Sequence, residues 1–337
     1  MKLLVYTQVV DKTDPILGFF HAWLSAFAER FEEVHVICLK QGAYELPKNV
    51  HVYSLGKETR QRRVQYVLRF YRHFWHIYRT HQVTHVFLHM GAIFTILAAP
   101  FFLMRKLRGV RFLWWKAHGH INWVGRFASF FCDEVVTSTE SGFPIALAKR
   151  RIVGQAIDTT RFALPQSDQE RDQKHIIFVG RVASIKHIEV FITVARVLKD
   201  DGYTFSVIGP HDDTAYAETL MHSAEGLPVT FVGSKTQQEL VSLYQQASIL
   251  LNTSLTHSMD KTVLEAMLCG CLPITANHAF ETLLSPFGLY ADTQDAARYV
   301  EMIRMNTEVP TERRAQLREE VVKVHSLDTF VDRVFKL

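Results

Sequence analysis

The sequence predicts an α/β fold of two doubly wound domains, and three observations carry that prediction. The chain is 337 residues long, which favours two domains of about 150 residues over one core. Short β-rich runs alternate with helical patterns from end to end, and the runs are nearly continuously apolar, as in parallel sheets covered on both faces. A polar stretch without apolar periodicity, LPQSDQERDQK at 164–174, interrupts the alternation and reads as a linker. The expected domains are therefore 1–165 and 166–321, with a last helix over 322–337 that has the option of packing back on the first.

Each element has its own signal. In the first half the strand runs are KLLVYTQV (2–9), EVHVICL (33–39), THVFLH (84–89), RFLWWKA (111–117), EVVTS (134–138) and RIVGQ (151–155). Helical spacing marks 17–30 and 61–80. In the second half the strands are HIIFVG (175–180), TFSVIG (204–209), VTFVG (229–233), SILLN (248–252) and LPIT (272–275). A helix is expected to start near Ser258 to Asp260 and to end at Gly270, a left-handed cap with Pro273 just beyond.

Composition narrows the class. Hydrophobic residues make up 48% and charged residues 21%, the profile of a globular protein. A formal charge of +4 is too small to indicate nucleic acid. The four cysteines, Cys38, Cys132, Cys269 and Cys271, lack zinc spacing and are expected to be reduced core thiols in a cytoplasmic protein. MKLLVYTQVV reads as a first strand, not a signal peptide. The most apolar stretch, GAIFTILAAPFFLM (91–104), is too short to span a bilayer.

Chemistry concentrates in the second half. In FVGRVASIKH (178–187) a strand ends at Gly180, where the backbone can approach a ligand, and Arg181 and Lys186 follow as a planar fork and a point charge for an anion. In LLNTSLTHSMDKTVLEAMLCGCLPIT (250–275) a strand ends at Asn252 and a loop leads into a helix N-terminus, an arrangement suited to anions. With Leu264, Met267 and Leu268 on the buried side, Glu265 either faces a cleft and accepts hydroxyls or pairs with a surface cation. Ligands of open α/β sheets bind at the carboxyl ends of strands, so an interdomain cleft is the expected working site.

These residues resemble the donor domain of glycosyltransferase family 4, the retaining transferases of GT-B fold. The resemblance is specific over 176–290 and looser through 111–162. It implies two Rossmann-like domains facing across a cleft. It further implies that Gly180, Arg181 and Lys186 meet the diphosphate of a nucleotide-sugar, that Glu265 holds the ribose, and that the loop and helix start (His257, Ser258, Met259, Asp260 and Lys261) contact the donor. The family usually carries a glutamate where this chain has His257. His257 then serves as a neutral hydrogen-bonding partner, or Asp260 supplies the carboxylate from a shifted position, or the site is degraded. By the same resemblance, Gly18 in DKTDPILGFFHAWL (11–24) stands where the family places a glycine-rich turn for phosphate or acceptor; a plain strand-to-helix turn is the other reading. His118 in WWKAHGH (114–120) matches the histidine that approaches the donor sugar, with His120 as runner-up.

The function expected is retaining transfer of a sugar from a nucleotide diphosphate-sugar to a glycan or lipid-linked acceptor. His118, Arg181 and Lys186 would be the catalytic groups, with no tightly bound cofactor, no metal required and no metal-ligand constellation in view. A nucleotide-sugar 2-epimerase on the same fold is an alternative, with Glu140 as its one attractive carboxylate. A catalytically decayed GT-B binding protein is another. In RQRRVQYVLRFYRHFWHIYRTH (60–81) Val64, Val67, Leu68, Tyr71, Phe74, Trp75 and Tyr78 form an apolar stripe, with Arg62, Arg69, Arg72, His76 and Arg79 largely on another face. Such a helix either packs on the core with a solvated basic face or rests on an anionic membrane, the inner face for a cytoplasmic protein.

Overall fold

The computed structural model describes every residue except Pro15, Arg60, Gln61, 166–170, Thr256, His257, Thr307 and Val309. The chain divides into two compact units, one of Met1–Ala156 with Leu327–Leu337 and the other of Ile157–Ser326. All strand pairings described below are parallel.

The first unit holds strands β1 (Lys2–Val10), β2 (Glu33–Gln41), β3 (Val50–Ser54), β4 (His85–His89), β5 (Arg111–Trp115), β6 (Glu134–Thr137) and β7 (Arg150–Ile152) in the order β3-β2-β1-β4-β5-β6-β7. The interior strands are sealed on both faces: Leu3 to Tyr6, Val34 to Cys38 and all of β4 are buried, which is why their sequences run apolar without alternation. Register is fixed by pairs such as Leu3 with Val34 and Leu3 with His85. Helices α1 (Phe20–Arg30), α2 (Arg63–Thr80), α3 (Ala92–Leu97), α4 (Ala99–Met104) and α5 (Trp123–Ala128) cover the sheet. The apolar stretch 91–104 thus forms two short helices, and no described helix is long and apolar enough to cross a membrane.

The buried face of α2 differs from the expected stripe. Phe70, Phe74, Ile77 and Tyr78 point inward, while Val64, Leu68 and Trp75 are exposed. Phe74 stacks on Phe101 of α4 with ring centroids 4.1 Å apart. With aromatic residues all around the helix, periodicity alone does not single out the face that this packing selects.

The second unit holds β8 (Asp172–Val179), β9 (Thr204–Ile208), β10 (Val229–Gly233), β11 (Ala247–Asn252) and β12 (Leu272–Thr275), ordered β10-β9-β8-β11-β12. Its helices are α6 (Ile188–Leu198), α7 (Thr214–Ser223), α8 (Gln237–Gln246), α9 (Lys261–Leu268), α10 (Glu281–Leu284), α11 (Ala296–Met305) and α12 (Thr311–His325). Part of the stretch read as a linker, 166–170, lies outside the described residues. The rest is more ordered than a linker: Asp172–Lys174 open β8, and the buried Arg171 donates to the carbonyls of Ala247 (2.5 Å) and Cys269 (3.1 Å).

The last helix, α13 (Leu327–Phe335), belongs to the first unit. Phe330 meets Trp23 and Trp115 at centroid distances of 4.5 and 5.3 Å, and Phe335 meets Phe31 at 5.0 Å. The four cysteines are buried free thiols.

Candidate functional site

In both sheets the strand order reverses beside the first strand laid down, and such a reversal opens a crevice at the carboxyl ends of the two strands flanking it. In the second unit those strands are β8 and β11. Chain leaving β8 passes Gly180, whose N–H donates to the Ile208 carbonyl at 2.9 Å. Opposite it Gly209 has φ +148, and a Cβ there would lie 1.8 Å from the Gly180 oxygen. Only glycine fits at Gly209, so the two chains cross in contact and hold Gly180 in place.

Beyond Gly180 a turn over Ser184–Lys186 ends at His187, which adopts the left-handed conformation with φ 51 and caps α6. That conformation costs a non-glycine residue on the order of 1 kcal/mol. It is held because Thr253 Oγ1, just past β11, donates to the Lys186 carbonyl at 2.8 Å. The Lys186 ammonium then reaches Asp260 Oδ1 at 3.0 Å and Ser254 Oγ at 3.2 Å. Behind this pair, Asn252 Nδ2 donates to Asp260 Oδ2 (3.1 Å), Thr275 Oγ1 to Asn252 Oδ1 (3.0 Å), and Asn277 Nδ2 to the Ser258 carbonyl (2.9 Å). Asn252, Thr253, Ser254, Thr275 and Asn277 are all buried. Buried polar side chains that satisfy one another fix a single geometry, so this network pre-sets the loop from Asn252 to Ser254 and the start of α9.

Arg181 stands apart, exposed and paired with Asp212 at 3.1 Å. Glu265 lies one turn into α9, only 6% exposed, and accepts from Tyr244 Oη of α8 at 3.1 Å. Burial pushes its carboxyl up to about 7, with the Lys261 ammonium and the Tyr244 hydroxyl pulling it back. The Lys261 ammonium is likewise pushed down by burial, against the pull of Glu265. These two groups, four residues apart on one helix face, form a coupled interior pair.

This geometry bears comparison with known proteins. The sequence model of the family "Glycosyl transferases group 1" matches residues 173–305, the span containing every group just described. Residues 173–305 are thus similar to a group 1 glycosyltransferase domain. Among curated relatives, it is similar to the amylovoran biosynthesis glycosyltransferase AmsK of Erwinia amylovora, at 26% identity over 39% of this chain and 34% of that protein. It is also similar to the D-inositol 3-phosphate glycosyltransferase of Mycolicibacterium smegmatis, at 29% identity over 31% of this chain and 25% of that protein. The matched regions thus span about a third or less of these relatives. Among solved structures, Anabaena HepE in complex with UDP superposes with a TM-score of 0.78 and 13% identity, over 100% of this chain and 99% of that one. The expected fold class, two Rossmann-like units of GT-B type, is the one observed.

Within the second unit, Lys186, Ser258 and Asp260 come together through the network around Asn252. Met259 is buried. Glu265 faces Tyr244 and Lys261 rather than an open face, because α9 is buried at every position from Val263 to Leu268; the expectation of one buried and one open side does not hold for this short helix. His257 lies outside the described residues. Gly18 and His118 belong to the first unit. The Gly18 N–H donates to the Asp14 carbonyl at 2.9 Å, and a Cβ on it would approach that oxygen to 2.5 Å, so the turn itself requires glycine. His118 follows β5, exposed, and its Nδ1 accepts from the His120 N–H at 3.3 Å. Glu140 is exposed and paired with Arg150.

Sequence reasoning missed Asn252, Thr253, Ser254, Thr275 and Asn277 as a connected set. A signal was present: each is a small polar residue at the carboxyl end of an otherwise apolar strand run. Among the described residues, Glu33, His35 and His81 bring one ligand atom each within 4.8 Å of one another, a grouping that no sequence spacing pointed to.

Proposed function

We propose that the chain is a retaining glycosyltransferase using a nucleotide diphosphate-sugar, with UDP as the first nucleotide to test. The observation that carries this reading is the anchoring of Lys186 at the crevice between β8 and β11, on a turn shared with Arg181 and beside the start of α9. The match of the group 1 family over the same residues supports it, and UDP is the ligand named for HepE.

Chemistry follows from those positions. Arg181 and Lys186 neutralise the diphosphate, whose charge grows as the glycosidic bond breaks. A donor phosphate takes Lys186 by competing with Asp260, and takes Arg181 by competing with Asp212. The backbone N–H groups at the start of α9, Ser258 to Lys261, add positive dipole to the same place. Glu265 takes the ribose hydroxyls by turning its carboxylate from Lys261 toward the crevice while keeping its bond from Tyr244, and His118 hydrogen-bonds the transferred sugar. The departing phosphate oxygen takes the acceptor proton, so these side chains stabilise an oxocarbenium-like state without an obligatory protein nucleophile.

A lipid-linked acceptor is favoured over a free glycan by the first unit. It exposes Leu103, Leu107 (85%), Trp123 (76%), Phe127 and Phe130, with Lys106, Arg108 and Arg126 also exposed, apolar side chains interspersed with cations that suit an anionic bilayer.

The test is a thermal-shift screen with UDP, GDP, ADP, CMP and dTDP on wild type and Arg181→Ala. A diphosphate at one hundred times its dissociation constant adds about 2.7 kcal/mol to stability. A shift with one diphosphate that is lost in Arg181→Ala supports the donor site. No shift with any of them moves the balance to a decayed binding protein.

A further inference from the structure

We propose that Glu33, His35 and His81 form a zinc-binding site at the amino-terminal edge of the first sheet. β2 begins with Glu33 and carries His35 two residues on, so both point to one face. His81 caps the carboxyl end of α2. The fold thus brings a strand start and a helix end together, 48 residues apart in sequence.

The geometry is that of a coordination shell. Glu33 Oε2 lies 3.1 Å from His35 Nε2 and 3.2 Å from His81 Nδ1, and the three ligand atoms are all within 4.8 Å of one another. Four-coordinate zinc with bonds of about 2.0–2.2 Å sets neighbouring ligand atoms roughly 3.3–3.5 Å apart. Two edges of that tetrahedron are therefore nearly in place, and the third, between His35 and His81, is no longer than 4.8 Å. A water or His51, whose ring stacks 5.1 Å from that of His35, completes the set.

The surroundings orient these ligands. Tyr53 Oη sits 3.4 Å from His35 Nδ1. A phenol either donates or accepts, so it can accept from Nδ1 when a metal takes the Nε2 lone pair. Lys2 Nζ holds Glu33 Oε1 at 2.7 Å, leaving Oε2 to ligate. The site also lies at the carboxyl end of an 18-residue helix, the negative end of its dipole. Because ligands of such a sheet bind at the opposite strand ends, the zinc here is structural: it ties α2 to β2 and takes no part in sugar transfer.

The experiment is zinc titration of tag-free, chelator-treated full-length protein against a chromophoric competitor, with cobalt substitution to read geometry. Wild type should bind one equivalent with low-micromolar affinity and give the visible bands of tetrahedral cobalt. His81→Gln and Glu33→Gln should each weaken binding at least tenfold, while His222→Gln, at an exposed His–Glu pair elsewhere, should match wild type. His81 is half-buried at the surface, so that variant should keep the fold, which circular dichroism checks. Wild type binding no zinc below about 100 µM, or both ligand variants retaining wild-type affinity, would overturn the proposal.

Discussion

Lys186 and Asp260 pose the question of charge at the residue scale. Their side chains are only 12% and 16% exposed, so each desolvated ion depends on the other, and removing one strands its partner. Lys186→Ala should therefore lower stability by about 2 kcal/mol through the stranded Asp260, less than the 3–5 typical of a fully buried pair. It should also abolish the nucleotide-dependent thermal shift. Asp260→Ala leaves Lys186 without its carboxylate but still able to meet phosphate. The double variant discriminates: stability should recover toward wild type while diphosphate binding stays lost. If the double variant binds diphosphate as wild type does, Lys186 is an architectural ion-pair member and nothing more.

Among the elements, most strands were legible because parallel strands buried on both faces write themselves as apolar runs. β3 was not, since Val50–Ser54 is a short edge strand with no fully buried residue, so it does not write itself as an apolar run. The helix over 61–80 was legible in extent but not in facing, and the same limit applied to Glu265, whose helix has no solvent side from Val263 to Leu268. The network of Asn252, Thr275 and Asn277 escaped notice because hydrogen bonds between strand ends depend on sheet order, which periodicity does not encode. Two predictions belong here. Phe330→Ala on α13 removes a ring packed between Trp23 and Trp115 and should cost about 3–5 kcal/mol, read in a denaturant melt; a cost under about 1 kcal/mol would mean that α13 does not seal the first core. Trp123→Ser with Leu107→Ser should reduce sedimentation with phosphatidylglycerol vesicles severalfold, leaving the melting temperature unchanged because both side chains are solvent-exposed. Equal sedimentation of variant and wild type would return that face to ordinary surface.

At the level of the whole molecule, pH acts on the buried histidines and on Glu265 in opposite directions. In the first unit burial pushes the His35 and His85 rings down to about 4, against about 6.5 in the unfolded chain. A depressed histidine favours the neutral form in the fold, so its contribution is present above pH 6.5 and lost as pH falls toward 4. At pH 5 each ring forfeits on the order of 2 kcal/mol, and His73, displaced the same way, adds to the loss; His175, in β8 of the second unit, is displaced likewise and offsets part of the relief at Glu265. Glu33, held down to about 2, acts only below pH 4.5 and leaves this window untouched. Glu265 works the other way. Its carboxyl is raised to about 7, so the stability it contributes is complete below about pH 4.5 and drains away as pH rises to 7. Acidification from pH 7.5 to 5 therefore weakens the first unit through its histidines while relieving the second at Glu265. Removing Glu265 exposes the first effect: Glu265→Gln should melt higher than wild type at pH 7.5, lose that advantage at pH 5, and so fall more steeply in between. Parallel curves for the two proteins would mean that Glu265 stays ionised throughout with Lys261 as its permanent partner. A flat curve for Glu265→Gln would mean instead that His35 and His85 accept protons in the fold as readily as outside it.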